Sequence, residues 1–146
     1  MNKLSILVIN GPNLNLLGTR ETDIYGSITL EDMNSIITEN FDENLVKIDF
    51  YQSNIEGEIV SKIGNSPKKY NGIVINPAAY SHYSIAILDA IRSIDIPVIE
   101  VHISNIYKRE EYRKKSVTGE GCIGVISGFG YYGYIMAINY LLKNIK

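Results

Sequence analysis

The most chemically loaded stretch of the chain is Glu100-Val101-His102, within PVIEVHISN. Ile99, Val101 and Ile103 alternate there with Glu100, His102 and Ser104, and in a strand a period of two sends the sets to opposite faces. A carboxylate and an imidazole on one face of a buried strand are costly unless paired. They can meet directly or through a third group. Paired, the carboxylate favours the protonated ring, which suits a general acid. The plainer reading is a partly exposed strand end with solvated side chains. Against it, two other apolar runs end the same way, in Asn10-Gly11-Pro12-Asn13 and in Asn76-Pro77 leading to Tyr80-Ser81-His82.

A second constellation follows the first apolar run: NGPNLNLLGTRETDIYG, residues 10–26. Arg20 and Tyr25 lie on this loop, bracketed by Gly18 and Gly26, which suits a hinged lid. Leu14, Leu16 and Leu17 are placed to anchor its base. A tyrosine with a pKa of about 10 is a poor base at neutral pH. A guanidinium held close can lower it by about 1–3 units. On spacing alone, a surface arginine and one of eleven tyrosines explain the pair as well. His82 opens an apolar helical pattern where Ser81 or Ser84 can cap the backbone, so by itself it reads as a surface or capping residue. Two histidines without a Cys or carboxylate ligand set argue against zinc.

Five runs rich in Ile and Val must carry these groups: Leu4–Asn10, Val46–Gln52, Gly72–Asn76, Pro97–Ile103 and Cys122–Ser127. Continuous apolar runs fit a parallel sheet covered on both faces. Helical patterns alternate with them. Thr29 precedes LEDMNSIITENF with Asp32 three positions on, close to a capping box. Residues 57–66 and 84–94 place apolar side chains at helical spacing, and a last helix starts near Tyr131. The alternation predicts a three-layer α/β domain, a doubly wound parallel five-stranded sheet in the flavodoxin-like order 2-1-3-4-5, with right-handed crossovers. In such a sheet ligands bind beyond the carboxyl ends of the strands, where strand order reverses. The unusual polar residues gather at that edge. The charged stretch Lys108–Lys115, KREEYRKK, reads as a short surface helix or loop.

With 146 residues, 45% hydrophobic, the chain is one domain, residues 1–146, with enough material for a core. A formal charge of -2 gives no reason to expect nucleic acid. MNKLSILVING is too short an apolar run for a signal or a membrane span, so the expectation is a soluble, cytoplasmic protein. Cys122, in CIGVI, reads as a small buried hydrophobe. Gly128-Phe-Gly130-Tyr-Tyr-Gly133 satisfies G-x-G-x-x-G, yet no strand follows to carry the acidic ribose partner; close backbone packing explains the glycines better. A phosphoacceptor receiver needs an Asp where Asn76 stands and acidic ligands where Asn10 and Asn13 stand. A flavin-phosphate site needs a Ser/Thr/Gly-rich loop that GPNLNLLGTR lacks. Neutral amides instead bind hydroxyl and carboxylate oxygens or a developing enolate.

Five ordered motifs, NGPNLNLLGTRE…YG, NPAAYSHYS, EVHISN, REEYRKKS and GFGYYGY, spread over nearly the whole chain. Together they resemble the type II 3-dehydroquinate dehydratases. The resemblance implies anti elimination of water from 3-dehydroquinate to 3-dehydroshikimate, in the shikimate pathway or in quinate catabolism, with no cofactor, neither metal nor Schiff base. It implies Tyr25 as the base at C2, Arg20 lowering its pKa, and Asn13 stabilising the enolate through a bound water. His102 would protonate the departing C1 hydroxyl with Glu100 as its partner. Asn76, Ser104 and the backbone N–H groups of Ile103 and Ser104 would hold the substrate carboxylate, and His82 and Arg113 the ring hydroxyls. Asp89 matches a position reaching a neighbouring subunit's site in a homododecamer, a tetramer of trimers. Thr22 stands where a proline commonly follows Arg-Glu, and Tyr83 where threonine is frequent; neither touches a catalytic role. The competing readings are a non-catalytic small-molecule binding module on the same fold and a structural assembly subunit. Neither of them needs a base at Tyr25 or an acid at His102.

Overall fold

The computed structural model describes residues 2–19 and 21–145, with Tyr25 described in its backbone only. Among them, five strands form one sheet: β1 (Leu4–Asn10), β2 (Val46–Gln52), β3 (Gly72–Asn76), β4 (Val98–His102) and β5 (Gly124–Ser127). Every pairing is parallel and the order is β2-β1-β3-β4-β5, as the sequence pattern predicts.

Besides a short turn of helix, α1 (Thr22–Tyr25), four helices cover the sheet: α2 (Leu30–Glu39), α3 (Glu56–Asn65), α4 (Ile85–Arg92) and α5 (Tyr132–Asn144). The period of two divides each buried strand between two cores. Ile6, Val8, Val74, Ile99 and Val101 pack under α2 and α5 with Met33, Ile37 and Ile138. Leu7, Ile9, Ile73 and Ile75 pack under α3 and α4 with Ile59, Ile63 and Ile87. Helix starts follow local chemistry. Thr29 and Asp32 close a reciprocal capping box, with Asp32 N donating to Thr29 Oγ1 at 3.1 Å and Thr29 N to Asp32 Oδ2 at 3.3 Å. Ser84 Oγ caps α4 by accepting from Ile87 N at 3.1 Å.

Several expected boundaries shift. β4 stops at His102 because Ile103 leaves the ladder, its carbonyl accepting from Gly130 N at 3.0 Å. β5 begins at Gly124, not Cys122, because the 3₁₀ turn Thr118–Gly121 takes the Cys122 N–H on Gly119 O at 3.1 Å. The Lys108–Lys115 stretch falls in two single 3₁₀ turns, Ile106–Lys108 and Glu111–Arg113. Leu14 and Leu17 are buried under the first loop, but Leu16 is exposed and anchors nothing. Of the G-x-G-x-x-G glycines, Gly128 and Gly133 serve close packing, a Cβ on Gly133 falling 3.0 Å from Val101 Cγ1 where α5 rests on the sheet. Gly130 instead has open space around it and supplies a φ of 60°. Cys122 is half-buried, and burial pushes its thiol up to about 12. No helix among the described residues is long and apolar enough to cross a membrane.

Candidate active site

β1 and β3 lie side by side with Asn10 opposite Asn76, and the chain order reverses around them. Gly11 follows Asn10, and its N–H donates to Asn76 O at 2.8 Å. A Cβ there would fall 2.5 Å from Pro77 O, so only glycine lets the two loops meet. Beyond this contact a cleft opens, lined by Asn13, Asn76, His82, His102, Ile103, Ser104 and Arg113, together with Glu21 and Arg109. Three residues of its lining hold the left-handed backbone region without being glycine: Asn13 at φ 70°, Ala78 at φ 53° and Glu21 at φ 47°. Such conformations persist where the surroundings over-determine them. Asn13 N donates to Asn54 Oδ1 at 2.9 Å, and Ala78 N to Asn76 Oδ1 at 3.0 Å.

The strand-4 pair forms as its spacing implies, and directly. His102 Nε2 lies 2.7 Å from Glu100 Oε2, with Glu100 wholly buried and His102 nearly so. Glu100 is held from its other side by two hydroxyls: Ser116 Oγ donates to Oε2 at 2.5 Å, and Thr118 Oγ1 donates to Oε1. Three donors, from His102, Ser116 and Thr118, thus satisfy the buried carboxyl group. With Nε2–H committed to Glu100, Nδ1 is the ring nitrogen left for chemistry in the cleft.

His82 stacks near His102, ring centroids 6.3 Å apart and planes 19° off parallel. Its Nδ1 donates to Lys115 O at 2.8 Å, which leaves Nε2 as an acceptor. Burial holds its pKa below the ordinary histidine value, against the Lys115 carbonyl, which pulls it up; the charges of His102 and Arg113 add to the lowering. Arg113 Nε donates to Glu110 Oε2 at 3.3 Å, and its guanidinium lies 5.3 Å from the Tyr112 ring centre. Arg109 Nη1 donates to Ser104 Oγ at 3.3 Å. The two guanidinium groups of Arg109 and Arg113 outnumber the one carboxylate in the cleft lining, Glu21, and favour an anionic ligand.

The sequence-derived residues therefore converge with one clear exception. Asn13, Asn76, His82, His102, Ile103, Ser104 and Arg113 line one cleft, with Glu100 behind His102. Asp89 does not join them; it is exposed on α4. Arg20 lies outside the described residues, as does the Tyr25 side chain. Tyr83 is exposed and packs edge-on against Tyr80, 5.9 Å between ring centres. Sequence reasoning missed Ser116, Thr118, Arg109 and Glu21. The only signal for the hydroxyls was their alternation in KSVTG, directly after the charged stretch.

An acid–base pair buried behind a polar cleft at the switch point of a 2-1-3-4-5 sheet defines an α/β enzyme of the flavodoxin-like type. The family model described as Dehydroquinase class II matches residues 4–142. The chain belongs to that family. It is 73% identical over 141 residues to the 3-dehydroquinate dehydratase of Clostridium botulinum (strain Hall), covering 97% of this chain and 96% of that protein. Identity to the Clostridium perfringens (strain SM101) 3-dehydroquinate dehydratase is 59% over 144 residues, 98% of this chain and 99% of the relative. Among solved structures, the type II dehydroquinase of Butyrivibrio crossotus superposes with a TM-score of 0.92 at 51% identity, covering 95% of this chain and 97% of that one.

Proposed function

We propose that this chain catalyses the anti elimination of water from 3-dehydroquinate, giving 3-dehydroshikimate through an enolate. It is a hydro-lyase of the type II class, and the relatives named 3-dehydroquinate dehydratase support that reaction over a non-catalytic binder. The observation that carries the reading is the buried Glu100–His102 pair, 2.7 Å apart at the floor of the cleft.

Tyr25, made acidic by Arg20, removes the proton from C2, next to the ketone. Charge then moves to the carbonyl oxygen, where Asn13 stabilises the enolate through a bound water. When the enolate collapses, His102 gives its proton to the C1 hydroxyl, which leaves as water. Glu100 stabilises the imidazolium before that transfer. The sum is one water lost, with no redox change and no cofactor. The ring carboxylate is held by Asn76, Ser104 and the N–H groups of Ile103 and Ser104. His82, through Nε2, and Arg113 hold ring hydroxyls. The exposure of Asp89 on α4 supports its service to a neighbouring subunit in a homododecamer built as a tetramer of trimers. Residues 1–146 act as one catalytic domain in the cytoplasm. The step belongs to the shikimate route to chorismate and the aromatic amino acids, or to quinate breakdown.

The test follows ultraviolet absorbance while purified protein acts on 3-dehydroquinate, with chelator and after borohydride treatment. Growth of the conjugated enone signal under both conditions is expected. Ligand binding without any growth would refute the proposal.

A further inference from the structure

Beneath the cleft, on the α5 side, lies a polar chain to which the mechanism assigns no part. Tyr134, on α5, is wholly buried within one of the two cores. Its hydroxyl donates to Asn10 Oδ1 at 2.6 Å and accepts from Asn76 Nδ2 at 2.9 Å. Asn10 and Asn76 are register partners at the ends of β1 and β3, and both are nearly inaccessible. Only Asn76 reaches the cleft; Tyr134 and Asn10 do not line it.

The direction of every bond in this chain follows from one backbone group. Ala78 N–H donates to Asn76 Oδ1 at 3.0 Å, so the oxygen of that amide is committed to the backbone. The amide nitrogen must then face Tyr134. The phenolic oxygen, having accepted from it, sends its single proton to Asn10 Oδ1. That turns Asn10 Nδ2 away, and it is a buried donor with no hydrogen-bond partner among the described residues. A flip of Asn76 would set Nδ2 against the Ala78 N–H, donor facing donor. Burial drives the Tyr134 pKa far upward, against the Asn76 bond, so the hydroxyl keeps its proton at any working pH. Asn76 has two Nδ2 protons, and Tyr134 takes one.

We propose that Tyr134 is a positioning residue for the reaction: its hydroxyl, clamped between Asn10 and Asn76, locks the Asn76 amide so that its second Nδ2–H is aimed at the substrate carboxylate. This rests on the assignment of Asn76 to that carboxylate. The carboxylate is carried on C1 but keeps its charge throughout the elimination, so losing this aim weakens ground state and transition state alike.

The test is Tyr134→Phe, with steady-state kinetics on 3-dehydroquinate and asparagine-selective ¹⁵N spectra of the side-chain amides. KM is expected to rise about ten-fold with kcat within about two-fold, the range for a lost charge-assisted hydrogen bond. Asn76 amide protons should exchange faster, and adding Tyr134→Phe to Asn76→Ala should cost no further binding. A folded Tyr134→Phe protein with lowered melting temperature but wild-type KM would overturn the proposal, since a purely structural role predicts that result. If Asn76→Ala itself keeps a wild-type KM, the assignment of Asn76 falls and takes the proposal with it. Should Tyr134→Phe fail to fold, Asn10→Leu/Tyr134→Phe removes both partners of the Asn10 bond and should recover stability. Its KM should still be raised about ten-fold, and a wild-type KM would again overturn the inference.

Discussion

Thr118→Val separates the support of Glu100 from the packing around it. Thr118 is wholly buried, and its hydroxyl is the donor on Glu100 Oε1, while Oε2 has both Ser116 and His102. Valine keeps the shape of threonine and removes only the donor. A hydrogen bond to a charged group contributes about 1.5–3 kcal/mol, and a buried oxygen left without its partner keeps its full desolvation cost. Since Oε2 retains two donors, the expected loss is near the middle of that range, about 2 kcal/mol. For a chain of this size that is a fall of roughly 4–8 °C in melting temperature. The chain has no tryptophan, so far-ultraviolet circular dichroism is the suitable probe. In a Glu100→Gln background the same substitution should cost less than about 1 kcal/mol, because the acceptor has become neutral. The coupling between the two sites isolates the charge-assisted bond. Equal losses in both backgrounds, or a single-variant loss under about 0.5 kcal/mol, would refute the claim that Thr118 acts through the Glu100 charge.

Three further outcomes are expected. Tyr25→Phe should stay folded and lose about 10²–10⁴-fold in kcat, the usual contribution of general base catalysis; turnover at the wild-type rate would reassign the base. Gly11→Ala should destabilise by about 1–3 kcal/mol in urea titrations, because its Cβ meets the Pro77 backbone rather than a movable side chain. Asp49 is held below its ordinary pKa chiefly by the Tyr70 hydroxyl at 2.6 Å, with Lys47 and Lys69 assisting against the opposing effect of burial. A folded pKa below the unfolded one gives stability that is present above the unfolded value of 3.8 and is lost as pH falls through the folded value. Wild type should therefore exceed Tyr70→Phe in stability at neutral pH, and the gap should close below about pH 4; a constant gap would count against this linkage.

Local periodicity carries the sheet and half of the site. The alternation of Ile99, Val101 and Ile103 with Glu100 and His102 was readable because side-chain direction in a strand is a local property. The convergence of Asn10, Asn76 and His102 followed from strand order and the position of strand ends. What lay beyond reach was contact made through irregular backbone. Ser116 and Thr118 come to Glu100 on a 3₁₀ turn that no period announces, and the same turn shortens β5. Tyr134 sits in an apolar helix, where one hydroxyl among aromatic neighbours gives no sign that it meets two asparagines from distant strands. Leu16 failed as an anchor because the 3₁₀ turn Leu14–Leu16 sends Leu14 inward and Leu16 out.

The two faces of the sheet contribute different halves of the cleft. Glu100 and His102 project on the α3/α4 side, opposite Ile99 and Val101, while Asn10 and Asn76 meet Tyr134 on the α2/α5 side. Neither hydrophobic layer can therefore loosen privately. Opening the α5 layer frees the Asn76 amide, and opening the α4 layer frees the Glu100–His102 pair. The site works as a cooperativity sensor for the whole domain: a sub-global opening that spares one core still removes one of its two chemical halves. Heat inactivation and global melting should then follow a single curve, with no warm, partly folded form that still turns over substrate.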